Sequence, residues 1–472
     1  MEIENEKELA LETPKTKISG TIIRIIIAIA VISGLFLFFY EFIKAKKVTE
    51  IDYPTIASDQ GNILIEPKIK EIETVRTENF FQKAREDFIA NRVDFIEADL
   101  TGMVLRVWKG GEVLKEVKIV AKGKDNSWWE TPSGLYEIKN KEANHFSSFG
   151  HVYQPWSMVF QGNFFIHGWP YYEGGEPVVS SYSGGCIRLE TPDAENVFSL
   201  ASIGMPVLVY KQSLLDDSFV YEKKTDNAEA ADVTSSAYLV RDLNNGFVFY
   251  NKNENQPYSV ASLTKLLTAL IAMEYVNLNK DIYVPAEALV KTTKPRFSAE
   301  DMVSSYNLLF PLINESSNEA AEVFARNIGT KRFVSLMNDK ARAIGMSSSF
   351  FADSSGVLYD NTSTASDLME LAQYIENDRP FIWGISSNSI KPQNDFFRYE
   401  NLENFNLIPE ESEFAGGKIG KYTEKESMIA VFKMKIGESE RNLGVVVIDS
   451  NNAKHDVIKL IDLVKSRYQT QN

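Results

Sequence analysis

The sequence predicts a multidomain chain: an apolar transmembrane helix near the amino terminus, a mainly-β domain, then a larger α+β domain. Three observations predict it. An almost unbroken apolar run fills residues 18–43, with an uncharged centre at 25–40. From Asp94 the chain changes to short β-rich runs punctuated by glycine, and after Ala237 a hairpin signal precedes apolar residues at helical spacing. The 472 residues are enough for several cores. A net charge of −15 speaks against nucleic acid as a partner.

Residues 1–17 are polar and mixed in charge, and are read as a tail preceding the apolar run. A bilayer core takes about 20 apolar residues, so 18–43 is read as a membrane anchor. Arg24 and Glu41 interrupt it only near its ends, where each reaches the interface. No small-residue cleavage site follows; Lys44, Lys46 and Lys47 come instead, which separates an anchor from a removed leader. Basic residues flank both sides alike, so charge leaves the orientation open. Residues 44–92 are read as a stalk with one amphipathic helix within 78–91.

The first domain is placed at 93–211. Runs at 95–99, 103–108 and 113–120, split by Thr101-Gly102 and Gly110-Gly111, predict an antiparallel meander. Cys186 is the only cysteine, so no internal disulfide can form. A lone cysteine is ordinarily a small core hydrophobe, but its neighbours point elsewhere. Ser183-Gly184-Gly185 precede it, and two glycines let the backbone turn sharply and present N–H groups to a bound carbonyl. His167, at the end of Phe164-Phe165-Ile166 and followed by Gly168, can supply the base that a thiol needs at neutral pH. His145 and His151 are read as lining or surface residues. Neither C-x-x-C nor H-E-x-x-H spacing occurs, so neither a metal nor a cofactor is expected.

His-Gly, a spacer, then S-G-G-C-I-R-L resembles the signature of the L,D-transpeptidase (YkuD-type) catalytic domain. Thr131-Pro132-Ser133-Gly134-Leu135-Tyr136-Glu137-Ile138 resembles another segment of that family. The resemblance implies Cys186 as nucleophile and His167 as base and then acid, with N–H groups around Gly184, Gly185 and Cys186 holding the oxyanion. Arg188 would orient a stem-peptide carboxylate or form a structural salt bridge; Ser183 would support His167 or only the turn. Many members carry a second histidine where this chain has Gly184, leaving His167 as the motif's one imidazole. Trp128, Trp129, Trp156, Trp169, Tyr171 and Tyr172 suit either a binding surface or a core.

Residues 212–236 are polar and acidic and are read as a linker; 237–472 form the second domain. Asn244-Asn245-Gly246 between two apolar runs predicts a hairpin. A helix is expected to begin at Ser262, with Lys265 three residues on and therefore on the same face. A buried lysine of lowered pKa can deprotonate a serine, and the helix N-terminus favours the anion. With Ser316-Ser317-Asn318, Lys418-Ile419-Gly420, and the segments 352–356 and 363–368, this resembles the D-alanyl-D-alanine carboxypeptidase family (peptidase S11, penicillin-binding, serine β-lactamase-like). The resemblance implies Ser262 as acylated nucleophile, Lys265 as its base, Ser316 and Asn318 as the second motif, and Lys418 with Gly420 as a substrate-binding third. It also implies peptidoglycan stem peptides as substrates and β-lactams as acylating inhibitors.

One departure matters. The family's third motif is K-T-G followed directly by Tyr or Phe; this chain has Ile419, and Lys421 before Tyr422. A lost hydroxyl partner costs about 1–3 kcal/mol, so a weakened carboxypeptidase is expected. The overall expectation is a membrane-anchored peptidoglycan enzyme that trims pentapeptide stems at the serine and cross-links the resulting tetrapeptides at the cysteine. Wall processing implies catalytic domains outside the cell membrane and a cytoplasmic amino terminus. The alternatives are an active cysteine domain with a binding-only second domain, and a structural wall anchor.

Overall fold

The computed structural model describes residues 79–211, 219–224, 231–393, 396–408, 412–436 and 439–470. The expected tail, anchor and most of the stalk lie outside the described residues. Among the described residues, no helix is long and apolar enough to cross a membrane.

The predicted amphipathic helix is α1 (Phe80–Ala90), capped by the Asn79 side chain, which accepts from the Phe81 N–H at 2.9 Å. Its apolar face (Phe81, Ala84, Phe88) packs on Phe95, Trp108 and Leu208 of the next domain. The expected meander is β1 (Phe95–Asp99), β2 (Val104–Lys109) and β3 (Glu112–Ala121), paired antiparallel. There follow β4 (Gly134–Glu137), β5 (Asn140–Ser147), β6 (Val152–Gln161), β7 (Phe164–His167), β8 (Ile187–Leu189), α2 (Thr191–Leu200) and β9 (Pro206–Tyr210). Among the described residues these strands form one sheet in the order β4-β9-β1-β2-β3-β8-β7-β6-β5, antiparallel except at β1/β9 and β7/β8. Met158, Phe160, Ile166, Ile187 and Leu189 pack with Ala194 and Val197 of α2 in its core.

The stretch read as a linker contains β10 (Tyr221–Lys223), which belongs to the second domain. Tyr221 buries its ring against Phe247, Phe249 and Tyr468, and burial of that aromatic outweighs the polarity around it. The predicted hairpin is β11 (Ala237–Asp242) and β12 (Val248–Lys252). The helical layer follows: α3 (Thr264–Tyr275), α4 (Ser305–Asn314), α5 (Asn318–Ile328), α6 (Thr330–Ala343), α7 (Ala365–Asp378) and α8 (Pro380–Ser386). The chain returns through β13 (Phe414–Tyr422), β14 (Lys425–Ile436), β15 (Ser439–Ser450), α9 (Ala453–Arg467) and β16 (Tyr468–Thr470), which pairs with β10. The sheet order is β12-β11-β15-β14-β13. Strand β15 is buried on both faces: Val446 and Ile448 face the helical layer, Val445 and Val447 face α9.

The two domains share a buried polar seam. Glu274 of α3 binds Lys340 of α6 at 2.7 Å and accepts from Gln161 of β6 at 2.8 Å. Lys340 donates to the hydroxyls of Tyr136 and Tyr374, each at 2.8 Å, and Ser133 donates to Asp378 at 2.6 Å. Burial raises the Glu274 carboxyl, but the charges of Lys340 and Arg379 outweigh it and hold the group below the ordinary carboxylate range. Burial also brings Lys340 down to about 8 against the pull of Glu274. Removing one partner of such a cluster costs about 3–5 kcal/mol.

Candidate active sites

In the first domain, the parallel register Ile166↔Ile187 and His167↔Arg188 sets the chemistry. Ile166 and Ile187 point into the core. By alternation, His167 and Arg188 occupy the opposite face, with Cys186 one step before β8 on that same face. All three line a cleft of about 810 Å³.

The Nδ1 of His167 lies 2.5 Å from the Gly168 carbonyl oxygen. Only an N–H can make that contact, so Nδ1 carries the proton and Nε2 keeps its lone pair. Burial lowers the imidazole to about 4. Burial also raises the Cys186 thiol to about 11, against hydrogen bonding from the Phe165 backbone and the Arg188 charge. The resting pair is therefore a neutral thiol and a neutral imidazole, and proton transfer has to accompany attack.

The turn before Cys186 divides its labour. Ser183 donates to the Cys186 carbonyl and accepts from the Gly185 N–H at 3.1 Å, so it holds the turn. Gly185 has φ +108, and a Cβ there would lie 2.1 Å from the Phe164 ring, so no other residue fits. Gly184 has nothing within 4 Å of a notional Cβ; it borders open cleft and is not required by the turn. Arg188 is buried, donates to the Ser180 carbonyl at 3.0 Å and lies 5.0 Å from the Trp169 ring centroid. Among the described residues it has no carboxylate partner, and its Nε is unpaired. Trp128, Trp129 and Tyr172 line the cleft, whereas Trp156 packs on Phe198 and Tyr171 stacks on Tyr153.

In the second domain, Ser262 sits in a single 3₁₀ turn (Ala261–Leu263) just before α3, where a helix start at Ser262 was expected. Ala261 has φ +46, and a Cβ on Gly356 would meet the Ala261 carbonyl oxygen at 1.9 Å, so loop and turn interlock. Lys265 Nζ donates to Ser262 Oγ at 3.0 Å, to Asn318 Oδ1 at 2.8 Å and to the Ser355 carbonyl at 2.5 Å. Burial lowers Lys265 to about 7 against the pull of Asp353. Lys418 Nζ donates to Ser316 Oγ at 3.0 Å and is driven well below its ordinary value by burial and by Lys265. Gly420 lies against the Ser262 turn, where a Cβ would be 3.0 Å from the Ser262 nitrogen. Ser262, Ser316, Asn318 and Ile419 line a cleft of about 510 Å³. Nearly neutral lysine beside a hydroxyl can accept its proton.

Sequence reasoning missed several supports. Thr131 donates to the Gly185 carbonyl at 2.8 Å and accepts from Gly123 N–H, bracing the turn before Cys186. The T-P-S-G segment carried that signal. Asn406 Oδ1 accepts from the Ile419 N–H at 3.0 Å and fixes β13 beside the serine cleft; no motif marks it. His145, by contrast, is read from the sequence as a lining or surface residue, and it does line the cysteine cleft from β5, its ring 4.7 Å from that of Phe165.

Residues 94–209 match the family model of the L,D-transpeptidase catalytic domain, and residues 223–452 match that of D-alanyl-D-alanine carboxypeptidase. The chain is 34% identical over 147 residues to a D-alanyl-D-alanine endopeptidase of Pseudomonas aeruginosa, covering 30% of this chain and 47% of that one. It is 27% identical over 192 residues to the D-alanyl-D-alanine carboxypeptidase DacF of Bacillus subtilis, covering 38% and 47%. A crystal structure of a D-alanyl-D-alanine carboxypeptidase from Mycobacterium tuberculosis aligns with a TM-score of 0.43 at 20% identity, over 50% of this chain and 93% of that one. The chain spans about half the length of the curated relatives it matches.

Proposed function

From a chain that carries an L,D-transpeptidase catalytic domain followed by a D-alanyl-D-alanine carboxypeptidase domain, we propose a two-centre peptidoglycan enzyme whose serine centre makes the donor for its cysteine centre. The carrying observation is that both constellations stand in one compact body: Cys186 and His167 line one cleft, and Lys265 Nζ donates to Ser262 Oγ at 3.0 Å in the other.

At the serine centre, Lys265 takes the Ser262 proton as Oγ attacks the carbonyl between the last two D-alanines of a pentapeptide. The C–N bond breaks, D-alanine leaves with a proton, and water releases the tetrapeptide from the ester. Lys418 and Ser316 then complete a proton path at the leaving group, with Asn318 holding Lys265. At the cysteine centre, Cys186 gives its proton to His167 Nε2 and attacks the tetrapeptide's last amide carbonyl. The oxyanion meets the backbone N–H groups of the 183–186 turn, D-alanine leaves with the proton, and a thioester remains. A neighbouring side-chain amine then attacks the thioester, forming the cross-link and restoring the thiol. Arg188, with no carboxylate partner among the described residues, suits the donor's carboxylate.

Residues 18–43 would anchor the protein in the cell membrane with the amino terminus in the cytoplasm and both centres outside. Tethering the two centres raises the effective concentration of tetrapeptide at Cys186.

Pentapeptide muropeptides supplied to the Ser262→Ala protein test the coupling: cross-linking should fall away and return on addition of tetrapeptide. Cross-linking at the wild-type rate from pentapeptide alone would refute it. Because the P. aeruginosa relative is named an endopeptidase, a cross-linked dimer belongs in the same assay as a second substrate. Ile419 in the serine cleft favours a second reading, in which that domain holds stem peptides without turning them over. Absence of Ser262 acylation by a fluorescent penicillin would select it.

A further inference from the structure

The cysteine cleft is not closed by its own domain. Met273, Val276 and Asn279, from the carboxyl end of α3 and the turn after it, form one of its walls. That wall is fixed in place. A Cβ on Gly162 (φ +50) would come within 2.6 Å of the Glu274 carbonyl oxygen, so the two backbones touch at the cleft's edge. The Glu274 side chain is held by Gln161 and Lys340. Trp128 lines the cleft while packing on the core of the second domain.

The seam also reaches the nucleophile's turn. One segment carries Thr131, which braces the Gly185 carbonyl, together with Ser133 and Tyr136, which bond to Asp378 and Lys340 of the second domain. The first domain by itself would lack both the wall and the partners of this segment.

We propose that Met273, Val276 and Asn279 form a specificity-determining subsite of the cysteine centre, which receives the peptide chain of the acyl donor between the two domains. The chemistry of the wall defines the occupant. Glu274 is already saturated by Gln161 and Lys340, so α3 offers no free charge to the cleft. It offers an apolar flank, the half-buried Val276 backed by the buried Met273, ending in the exposed amide of Asn279. Arg188, across the cleft, supplies the cation. An extended peptide with aliphatic side chains on one edge and a carboxylate on the other matches that pattern. The proposal rests on the reading of Cys186 as the acyl-transfer nucleophile.

The test uses the full chain with a defined tetrapeptide donor and separates KM from kcat. Asn279→Trp, at an exposed position, and Val276→Asp should each raise the donor KM about tenfold with kcat little changed. Thermal melting and the rate of Cys186 alkylation by iodoacetamide should stay at wild-type values for Asn279→Trp, which remains decisive if Val276→Asp unfolds. Donor KM unchanged in Asn279→Trp, while Cys186→Ala abolishes transfer, would overturn the subsite and leave the cysteine reading standing. Transfer that survives Cys186→Ala, or is absent from the wild type, would overturn both.

Discussion

Alkylation of Cys186 should be slow at neutral pH and should accelerate tenfold with each pH unit up to about pH 10. Burial sets the thiol near 11 and the His167 imidazole near 4. Moving the proton from sulfur to Nε2 therefore runs uphill, offset only by the attraction between the two charges it creates. The thiolate fraction at pH 7 is about 10⁻⁴, against a few per cent for a free thiol of pKa about 8.5. Ionisation alone should slow iodoacetamide at pH 7 about 300-fold relative to a small model thiol. The chain has one cysteine, so intact mass reports its labelling without interference. His167→Gln should leave the resting alkylation rate nearly unchanged while abolishing transfer, because a neutral imidazole does not hold a thiolate. A rate that plateaus below pH 8, or a first inflection between 4 and 6, would refute the reasoning. Either would mark a preformed thiolate–imidazolium pair.

Two further predictions rest on neighbouring features. Lys265 must be neutral to accept the serine proton, and burial brings it to about 7. Penicillin acylation of Ser262 should therefore rise through pH 7 to a plateau and fall about 10²–10⁴-fold in Lys265→Ala; a midpoint near 10 would contradict this. Gly162→Ala places a methyl against the Glu274 carbonyl at a positive φ, and should cost about 1–3 kcal/mol in denaturant unfolding. An unchanged midpoint would mean the two domains do not meet as closely as described.

The sequence carried much of this plan, for reasons that differ by element. Strands β1 to β3 follow from two glycine-bearing turns between β-rich runs, and the hairpin at Asn244-Asn245-Gly246 from turn chemistry: both are local signals. The serine constellation was legible because the order of three short motifs along the chain resembles that of one family. Local signals also misplaced details. The sequence predicts a helix from Ser262, but a 3₁₀ turn with a left-handed Ala261 comes first, and Gly356, nearly a hundred residues away, packs against the Ala261 carbonyl. Gly184 and Gly185 looked equivalent, yet only Gly185 is required, because the Phe164 ring lies over it. Tyr221 sits in a polar stretch whose composition hides one aromatic seeking a core. Nothing in the spacing of Gln161, Glu274 and Lys340 announces that they meet, since each reads alone as a solvated polar residue. The interdomain seam, and with it the α3 wall of the cysteine cleft, is a product of tertiary structure.

Helix α3 has Lys265 at its first turn and Met273 at its last, and its 12 residues span about 18 Å. The helix is a common structural inheritance of both chemistries, so neither centre can drift in sequence without testing the other. A substitution that shortens or tilts it to suit one substrate displaces a base at one end and a cleft wall at the other. The boundary between the two domains is consequently a poor place to cut. Excising the amino-terminal half there would bare Ser133, Tyr136 and Gln161 to water, and a kinetic constant measured on that fragment would describe a different enzyme.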